Sequence, residues 1–93
     1  MKFTKDSAIE RAKQDLAKRL GVDENEISQS RVVDREFSDM SLGAAPDGEM
    51  AAQMLVSGWQ IVLSAGGKEY DYRADKHQLR LHNFNGSNYV IQY

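Results

Sequence analysis

One hairpin constrains the fold more than any other part of this sequence. From residue 58 to residue 73, apolar and polar side chains alternate on both sides of Gly66-Gly67. Alternation with a period of two is typical of a strand with one buried face. Paired glycines can adopt the positive φ angles of a two-residue turn. The sequence therefore predicts two antiparallel strands, with one face of the first formed by Trp59, Ile61, Leu63 and Ala65.

An amphipathic helix is predicted at the start of the chain. Apolar residues recur there at steps of three and four, namely Ile9, Ala12, Leu16 and Leu20. This spacing places them on one helical face. Ser7 and Glu10 fit a capping box, and Gly21 suits the left-handed residue that follows a helix. We therefore expect a helix from about Ser7 to Leu20 with its apolar face on a sheet.

Further strand patterns lie before and after the hairpin. Residues 30–37 fit an edge strand, because arginines share one face with Val33 and Phe37. After the hairpin, short strands are expected around Leu79 and Leu81 and over 89–93. Turns are predicted at 75–77 and at Asn85-Gly86.

These elements define a fold class. Strands joined by tight turns are antiparallel, and 93 residues form a single domain, 1–93. The predicted class is α+β, with one N-terminal helix packed on a curved antiparallel sheet of four to five strands. Residues 49–56 leave two alternatives open, because Met50 and Met54 fit a helix while Ala52, Met54 and Val56 fit a strand. In either case the methionines are expected to fill the core.

Composition excludes several classes of function. The net charge of −2, with both signs mixed along the chain, gives no footprint for nucleic acid. Without cysteine there is no disulfide, thiolate metal site or cysteine nucleophile. No stretch approaches the roughly 20 apolar residues of a membrane-spanning helix. Met1 is either the start of a cytoplasmic protein or the residue that follows a removed leader.

Metal and cofactor sites are not expected. The acidic stretch 23–27 could hold calcium, but it lacks the glycine and the terminal glutamate of an EF-hand loop, so a solvated turn is preferred. His77 and His82 have opposite parity around a short strand and should face opposite ways. We therefore predict no metal ion and no cofactor.

The irregular stretch from Ser38 to Gly48 is the candidate contact surface. It contains the sole proline, and long loops in small domains often carry function. Two structural alternatives remain open: Asp39 and Ser41 cap the loop's own amides, or Leu42 fills the open end of the sheet. The residues of the predicted partner-binding loop are Asp39, Ser41, Leu42, Gly43, Pro46 and Gly48.

Three sequence motifs carry a resemblance to known families. They are Leu20-Gly21-Val22, Asp39-Met40-Ser41-Leu42-Gly43 followed by Pro46 and Gly48, and Gly58 to Leu63 with Tyr70-Asp71-Tyr72. From about Ile9 to Asp75 the chain resembles a small uncharacterised prokaryotic family that is often secreted or a lipoprotein. Its strand pair is also similar to that of PepSY-type domains. The chain departs from the family at Ala44, where cysteine is common, and at Arg73, where histidine is common.

The resemblance implies a cystatin-like layout, an extracytoplasmic setting and no established activity. We expect a non-enzymatic binding or regulatory module, monomeric, whose partner is a protein such as a peptidase. By analogy with PepSY-type domains, the alternative is a peptidase inhibitor or intramolecular chaperone. A hydrolase using Asp39 and Ser41 is less favoured, because no histidine or nucleophile elbow accompanies the serine.

Overall fold

Every strand of the sheet lies beside its neighbour in the sequence. The computed structural model describes residues 2–93. Helix α1 and a short 3₁₀ turn precede a five-stranded antiparallel sheet of order β1-β2-β3-β4-β5. The α+β class is thus confirmed. The bounds are α1 Lys5–Leu20, the 3₁₀ turn Glu24–Glu26, β1 Ser28–Phe37, β2 Val56–Ala65, β3 Lys68–Asp75, β4 Gln78–Phe84 and β5 Ser87–Gln92.

The predicted hairpin is the β2–β3 pair. Gly66 and Gly67 have φ angles of 59° and 79°, as a turn that follows the twist of its strands requires. The turn sets a register in which Ile61 lies opposite Tyr72 and Leu63 opposite Tyr70. Alternation then directs Ile61, Leu63 and Tyr72 to the face covered by α1, where they are buried.

Helix α1 begins earlier than the sequence predicts. Thr4, not Ser7, is the N-cap: its side chain accepts a hydrogen bond from Ser7 N at 3.1 Å, and Thr4 N donates to Ser7 Oγ at 2.9 Å. The chain is fixed just before this point, because Phe3 is buried and its N–H donates to the carbonyl of Lys76. That tether places the start of the helix at Thr4. The helix ends as predicted, with Gly21 in the left-handed region and Val22 N bonded to Ala17 O.

The two faces of the sheet are covered differently. The α1 side carries the main apolar core, in which the strand residues include Ala74, Leu79 and Leu81. The strand residues that alternate with these core side chains point to the opposite face of the sheet. On that face Arg73, Asp75, Gln78 and Arg80 are buried although they are polar. The apolar residues buried outside the main core are Phe37, Leu42, Ala44 and Val62. We call the connection 38–55, which supplies Leu42 and Ala44, the cover segment.

Within the ambiguous stretch 49–56, only Val56 belongs to a regular element, so the rest is neither the helix nor the strand that its residues allow. Residues 50–55 have no regular structure, and β2 begins only at Val56. The expectation of core methionines is also wrong, because Met50 and Met54 are exposed. On the polar face, Leu42 and Ala44 of the same segment are the buried apolar residues, and they lie against Arg73 and Arg80.

Strand β1 lies at an edge of the sheet, as the arginine pattern predicts. Its register shifts between Gln29 and Arg31, and Val33 remains exposed while Phe37 is buried. Such bulges and charges are common on edge strands because they discourage pairing with another chain. Within residues 2–93, no helix has both the length and the hydropathy needed to cross a membrane.

Candidate functional site

The first part of the predicted loop forms a compact turn. Asp39 Oδ1 accepts hydrogen bonds from the backbone N–H groups of Ser41, at 2.8 Å, and Gly43, at 3.1 Å. Leu42, between them, is 0% exposed. Asp39 therefore caps the turn's own amides and Leu42 is a buried plug, which are the structural roles considered from the sequence. Because Leu42 is fully buried, its side chain is not available to a partner, whereas the Ser41 side chain lines a groove that is described below.

Arg73 holds this turn on the polar face of the sheet. Its Nη1 donates to the carbonyl of Leu42 at 3.0 Å, and its Nη2 lies 3.1 Å from the carboxylate of Asp71. Leu42 and Gly43 have φ angles of 57° and 68°, so both residues are left-handed. This conformation is unfavourable for leucine. It persists because the buried side chain and the bonded carbonyl fix both ends of the residue.

Pro46 and Gly48 occupy the outer part of the predicted loop. The carbonyl of Pro46 accepts a hydrogen bond from Glu49 N at 3.1 Å, and Gly48 is exposed with a φ angle of 84°. The structure thus separates the predicted site into a buried half, at Ser41 and Leu42, and an accessible half, at Pro46 and Gly48. Contact between the accessible half and a partner stays a prediction.

A carboxylate site lies where the cover segment meets β4. Glu49 forms a bidentate pair with Arg80, whose Nη1 and Nη2 lie 2.5 and 3.2 Å from its two oxygens. Ser41 Oγ donates to the same carboxylate at 2.5 Å, and the Tyr93 hydroxyl approaches at 3.4 Å. Hydrogen bonds from Arg80 and Ser41 hold the pKa of Glu49 below its ordinary value. We call Arg80, Ser41 and Tyr93 the carboxylate site.

Arg80 is held independently of Glu49. Its Nε donates to Gln78 Oε1 at 2.6 Å and its Nη1 to the carbonyl of Ala44 at 3.3 Å, and the residue is only 3% exposed. Sequence reasoning did not select Glu49, Arg80 or Tyr93. The only available signal was an arginine between two leucines in a short strand, and the same pattern is typical of a solvated strand face.

An apolar surface surrounds the carboxylate site. Met50 is 95% exposed and Leu55 is 73% exposed. Met40, Met54 and Tyr93 are also exposed. Of these residues, Met40, Met50 and Tyr93 lie beside one another at a single groove, and we call these three the methionine surface. A groove of about 410 Å³ runs through it, lined by Met40, Met50 and Tyr93 and reaching Arg80 and Glu49 at its base. The combination is a charged site bordered by flexible apolar side chains.

The backbone beside this groove has free hydrogen-bonding groups. In the described chain, none of the N–H groups of residues 50–55 donates to another residue. One carbonyl is used, that of Ala52, which accepts from Met40 N at 3.0 Å. An extended peptide could pair with such a backbone as it pairs with a sheet edge.

The two histidines are not brought together. His77 is exposed in the β3–β4 turn and lines the groove, while His82 lies in a separate cleft of about 490 Å³ between the diverging ends of β3 and β4. Its Nδ1 is buried without a hydrogen-bond partner among residues 2–93. Within that same range, no three histidine or acidic side chains are grouped as metal ligands would be.

Ser41 lacks the surroundings of a hydrolytic nucleophile. Its hydroxyl donates to Glu49, and its N–H, not its hydroxyl, is bonded to Asp39. In an activated serine the hydroxyl donates to a general base that is free to take the proton, whereas the Glu49 carboxylate is already paired with Arg80. The geometry of Asp39 and Ser41 is therefore that of a capped turn.

Comparison with known proteins identifies a family. No curated protein and no solved structure matches the chain. The sequence model of a domain of unknown function (DUF8738) matches residues 9–82. This range contains most of α1, the cover segment and β1–β3, together with most of β4. Because the match spans most of the sequence, the chain belongs to the family described as domain of unknown function (DUF8738).

Proposed function

We propose that this protein is a non-enzymatic binding module and that the methionine surface receives an extended, apolar polypeptide. The single observation that carries the proposal is the exposure of Met50, at 95%. It lies beside other exposed apolar side chains and above a groove. Contiguous exposed apolar patches are unusual in monomeric proteins and commonly mark binding surfaces.

The chemistry of the surface supports a polypeptide ligand. Methionine side chains are unbranched and polarizable, so they adapt to ligands of varied shape. The unpaired N–H groups of residues 50–55 supply directional bonds that an extended backbone can accept. The accessible half of the predicted loop, at Pro46 and Gly48, adjoins this segment in the chain and would form the rim.

The proposed setting is extracytoplasmic and the proposed state is a monomer. The resemblance of the sequence motifs to a family that is often secreted or lipid-anchored supports the setting. A second candidate function, restraint of a peptidase, has the support of the similarity to PepSY-type domains and of the helix that precedes the strand pair. Inhibition constants against a panel of purified peptidases would test that candidate.

The binding function is tested by methyl NMR. Protein labelled with ¹³C at the methionine methyl groups is titrated with two heptapeptides blocked at both ends, one alternating leucine and serine and the other glycine and serine. We expect saturable shifts at Met40 and Met50 with the leucine peptide only. The matched control is Val33→Ser, which removes an exposed apolar residue elsewhere and should not change binding, whereas Met50→Ser should weaken it. Absence of saturable shifts at millimolar peptide would overturn the proposal.

A further inference from the structure

We propose that the Glu49 side chain occupies the carboxylate site in the absence of a partner, and that a glutamate side chain of the partner polypeptide replaces it on binding. The inference rests on the proposed binding function and specifies the ligand. It would make the preferred partner an extended segment in which glutamate is followed by apolar residues. The resident sequence, Glu49-Met50-Ala51-Ala52, has this composition itself.

The site is built from parts of the chain that do not depend on Glu49. Arg80 belongs to β4, Ser41 to the compact turn capped by Asp39, and Tyr93 to the residue after β5. The guanidinium is oriented by Gln78 and by the carbonyl of Ala44. A preorganised fork of this kind accepts any carboxylate that reaches it in the same plane.

The occupant must be an anion. Arg80 is 3% exposed, and a buried guanidinium that loses its carboxylate is left as an uncompensated charge. Release of Glu49 is therefore favourable only when another carboxylate takes its position. This requirement makes the site selective, because an apolar peptide without an acidic residue can occupy the groove but cannot complete the exchange.

Glu49 is attached to the fold by few other contacts. Gly48 precedes it with a left-handed backbone, and residues 50–55, which follow it, donate no backbone hydrogen bond to the described chain. The two backbone bonds that hold the neighbourhood are Glu49 N to Pro46 O and Met40 N to Ala52 O. A segment with so few bonds opens at a lower free-energy cost than the strands beside it.

The walls of the groove define what accompanies the incoming carboxylate. Met40 and Tyr93, which lie outside the segment that opens, line it beside Arg80 and Ser41, so an apolar side chain next to the glutamate would be buried against them. The depressed pKa of Glu49 agrees with this assignment, since the surrounding donors favour an ionised carboxylate.

The chain's own segment supplies the probe. A blocked heptapeptide of sequence Glu-Met-Ala-Ala-Gln-Met-Leu is compared with the same peptide carrying glutamine at the first position. A third peptide has that glutamine and a free C-terminal carboxylate, so that a terminal carboxylate is distinguished from a side chain. Each is titrated into the wild-type protein and into Glu49→Gln, with the amide spectrum of each protein recorded first to show that it is folded.

We expect Glu49→Gln to bind the glutamate peptide about tenfold or more tightly than the glutamine peptide, as a charge-assisted bidentate pair requires. The variant should also bind it more tightly than the wild type does, because the competing carboxylate has been removed. Equal binding of the two blocked peptides would overturn the exchange while leaving the binding function intact. No binding of any peptide would overturn both. Preference for the free C terminus would overturn the assignment to a side chain.

If Glu49→Gln does not fold, the wild-type protein still decides the question. The carboxyl ¹³C resonance of Glu49 should move toward that of a solvated glutamate as the glutamate peptide saturates. The glutamine peptide should leave it in place. An unmoved resonance at saturation would show that Glu49 is a fixed structural partner of Arg80.

Discussion

A Cβ atom on residue 43 would lie 2.6 Å from Nη1 of Arg73. The same nitrogen donates to the carbonyl of Leu42 at 3.0 Å, so the guanidinium lies directly under the capped turn. Gly43 is therefore constrained twice, by its left-handed φ angle of 68° and by the arginine beneath it. The turn and the sheet are fitted to one another at this point.

We predict that Gly43→Ala lowers the free energy of unfolding by more than Gly48→Ala. Both residues have positive φ angles, at which alanine costs about 1–2 kcal/mol. At Gly48 nothing lies within 4 Å of the added Cβ, whereas at Gly43 it meets Arg73. Denaturant titration of the two variants measures the difference. Equal losses would show that Arg73 moves aside freely.

Leu42→Ala should be strongly destabilising. The side chain is 0% exposed, and removal of a buried leucine typically costs about 2–5 kcal/mol. Leu55→Ala is the matched control in the same cover segment, because Leu55 is 73% exposed and its truncation should cost less than about 0.5 kcal/mol. Chemical denaturation compares them. A small loss at Leu42 would contradict its role as a plug.

Tyr72 joins the sheet to α1, and its removal tests that contact. Its hydroxyl donates to Asp15 Oδ2 at 2.7 Å, so Tyr72→Phe should lower stability at neutral pH by about 0.5–1.5 kcal/mol. Burial, followed by the hydrogen bond to Asp15, raises the pKa of Tyr72 above its ordinary value of 10.0. Folding thus favours the neutral phenol. Its contribution to the free energy of unfolding is complete below pH 10 and is lost as the pH rises above 10.

The difference in the free energy of unfolding between the wild type and Tyr72→Phe should therefore decrease above pH 10. Thermal or urea unfolding at pH 7 and pH 10.5 provides the comparison. The matched control is Tyr70→Phe, whose hydroxyl makes no hydrogen bond to any residue in the described range; at pH 7 it should be nearly neutral. A margin for Tyr72→Phe that grows with pH would refute the raised pKa.

The contacts of Glu49 in the carboxylate site predict that the protein loses stability as the pH falls. Donation from Arg80, and then from Ser41, depresses the pKa of Glu49 below 4.5, so the unfolded chain binds the proton more readily than the folded one. The stabilisation is complete above pH 4.5 and is lost as the pH falls through the folded value. The wild type should exceed Glu49→Gln in stability at pH 7 by more than at pH 3. The same margin at both pH values would contradict an ionised Glu49.

Local sequence pattern was sufficient to predict the helix and strands that bury one face. The alternation in β2 and β3, the glycine pair between them and the apolar stripe of α1 are contained within short windows of sequence, and the structure has all three. The start of α1 was placed too late because Thr4 and Ser7 are both good caps. What selects Thr4 is the tether from Phe3 N to Lys76 O, which is a tertiary contact.

The polar face could not be predicted in the same way. Glu49 and Arg80 are 31 residues apart, and each looks like an ordinary surface charge in its own window. Their burial depends on how the cover segment folds over the sheet. Met50 and Met54 illustrate the same limit, since their propensity favours an element that the structure does not form. The disagreements between local sequence preference and the structure are concentrated at the proposed binding surface. Such disagreements are expected where a functional requirement outweighs the local preference.

The neighbour-to-neighbour order of the strands has a consequence for the sequence of folding events. Strands β2 to β5 are connected by two-residue turns, so their pairing closes only short loops. Strand β1 reaches β2 only across the cover segment 38–55, and closing that longer loop costs more conformational entropy. The four-stranded meander can therefore form first, with Arg73 and Arg80 hydrated. The cover segment is then the last layer assembled and the first to open, while the layer beneath α1 stays folded.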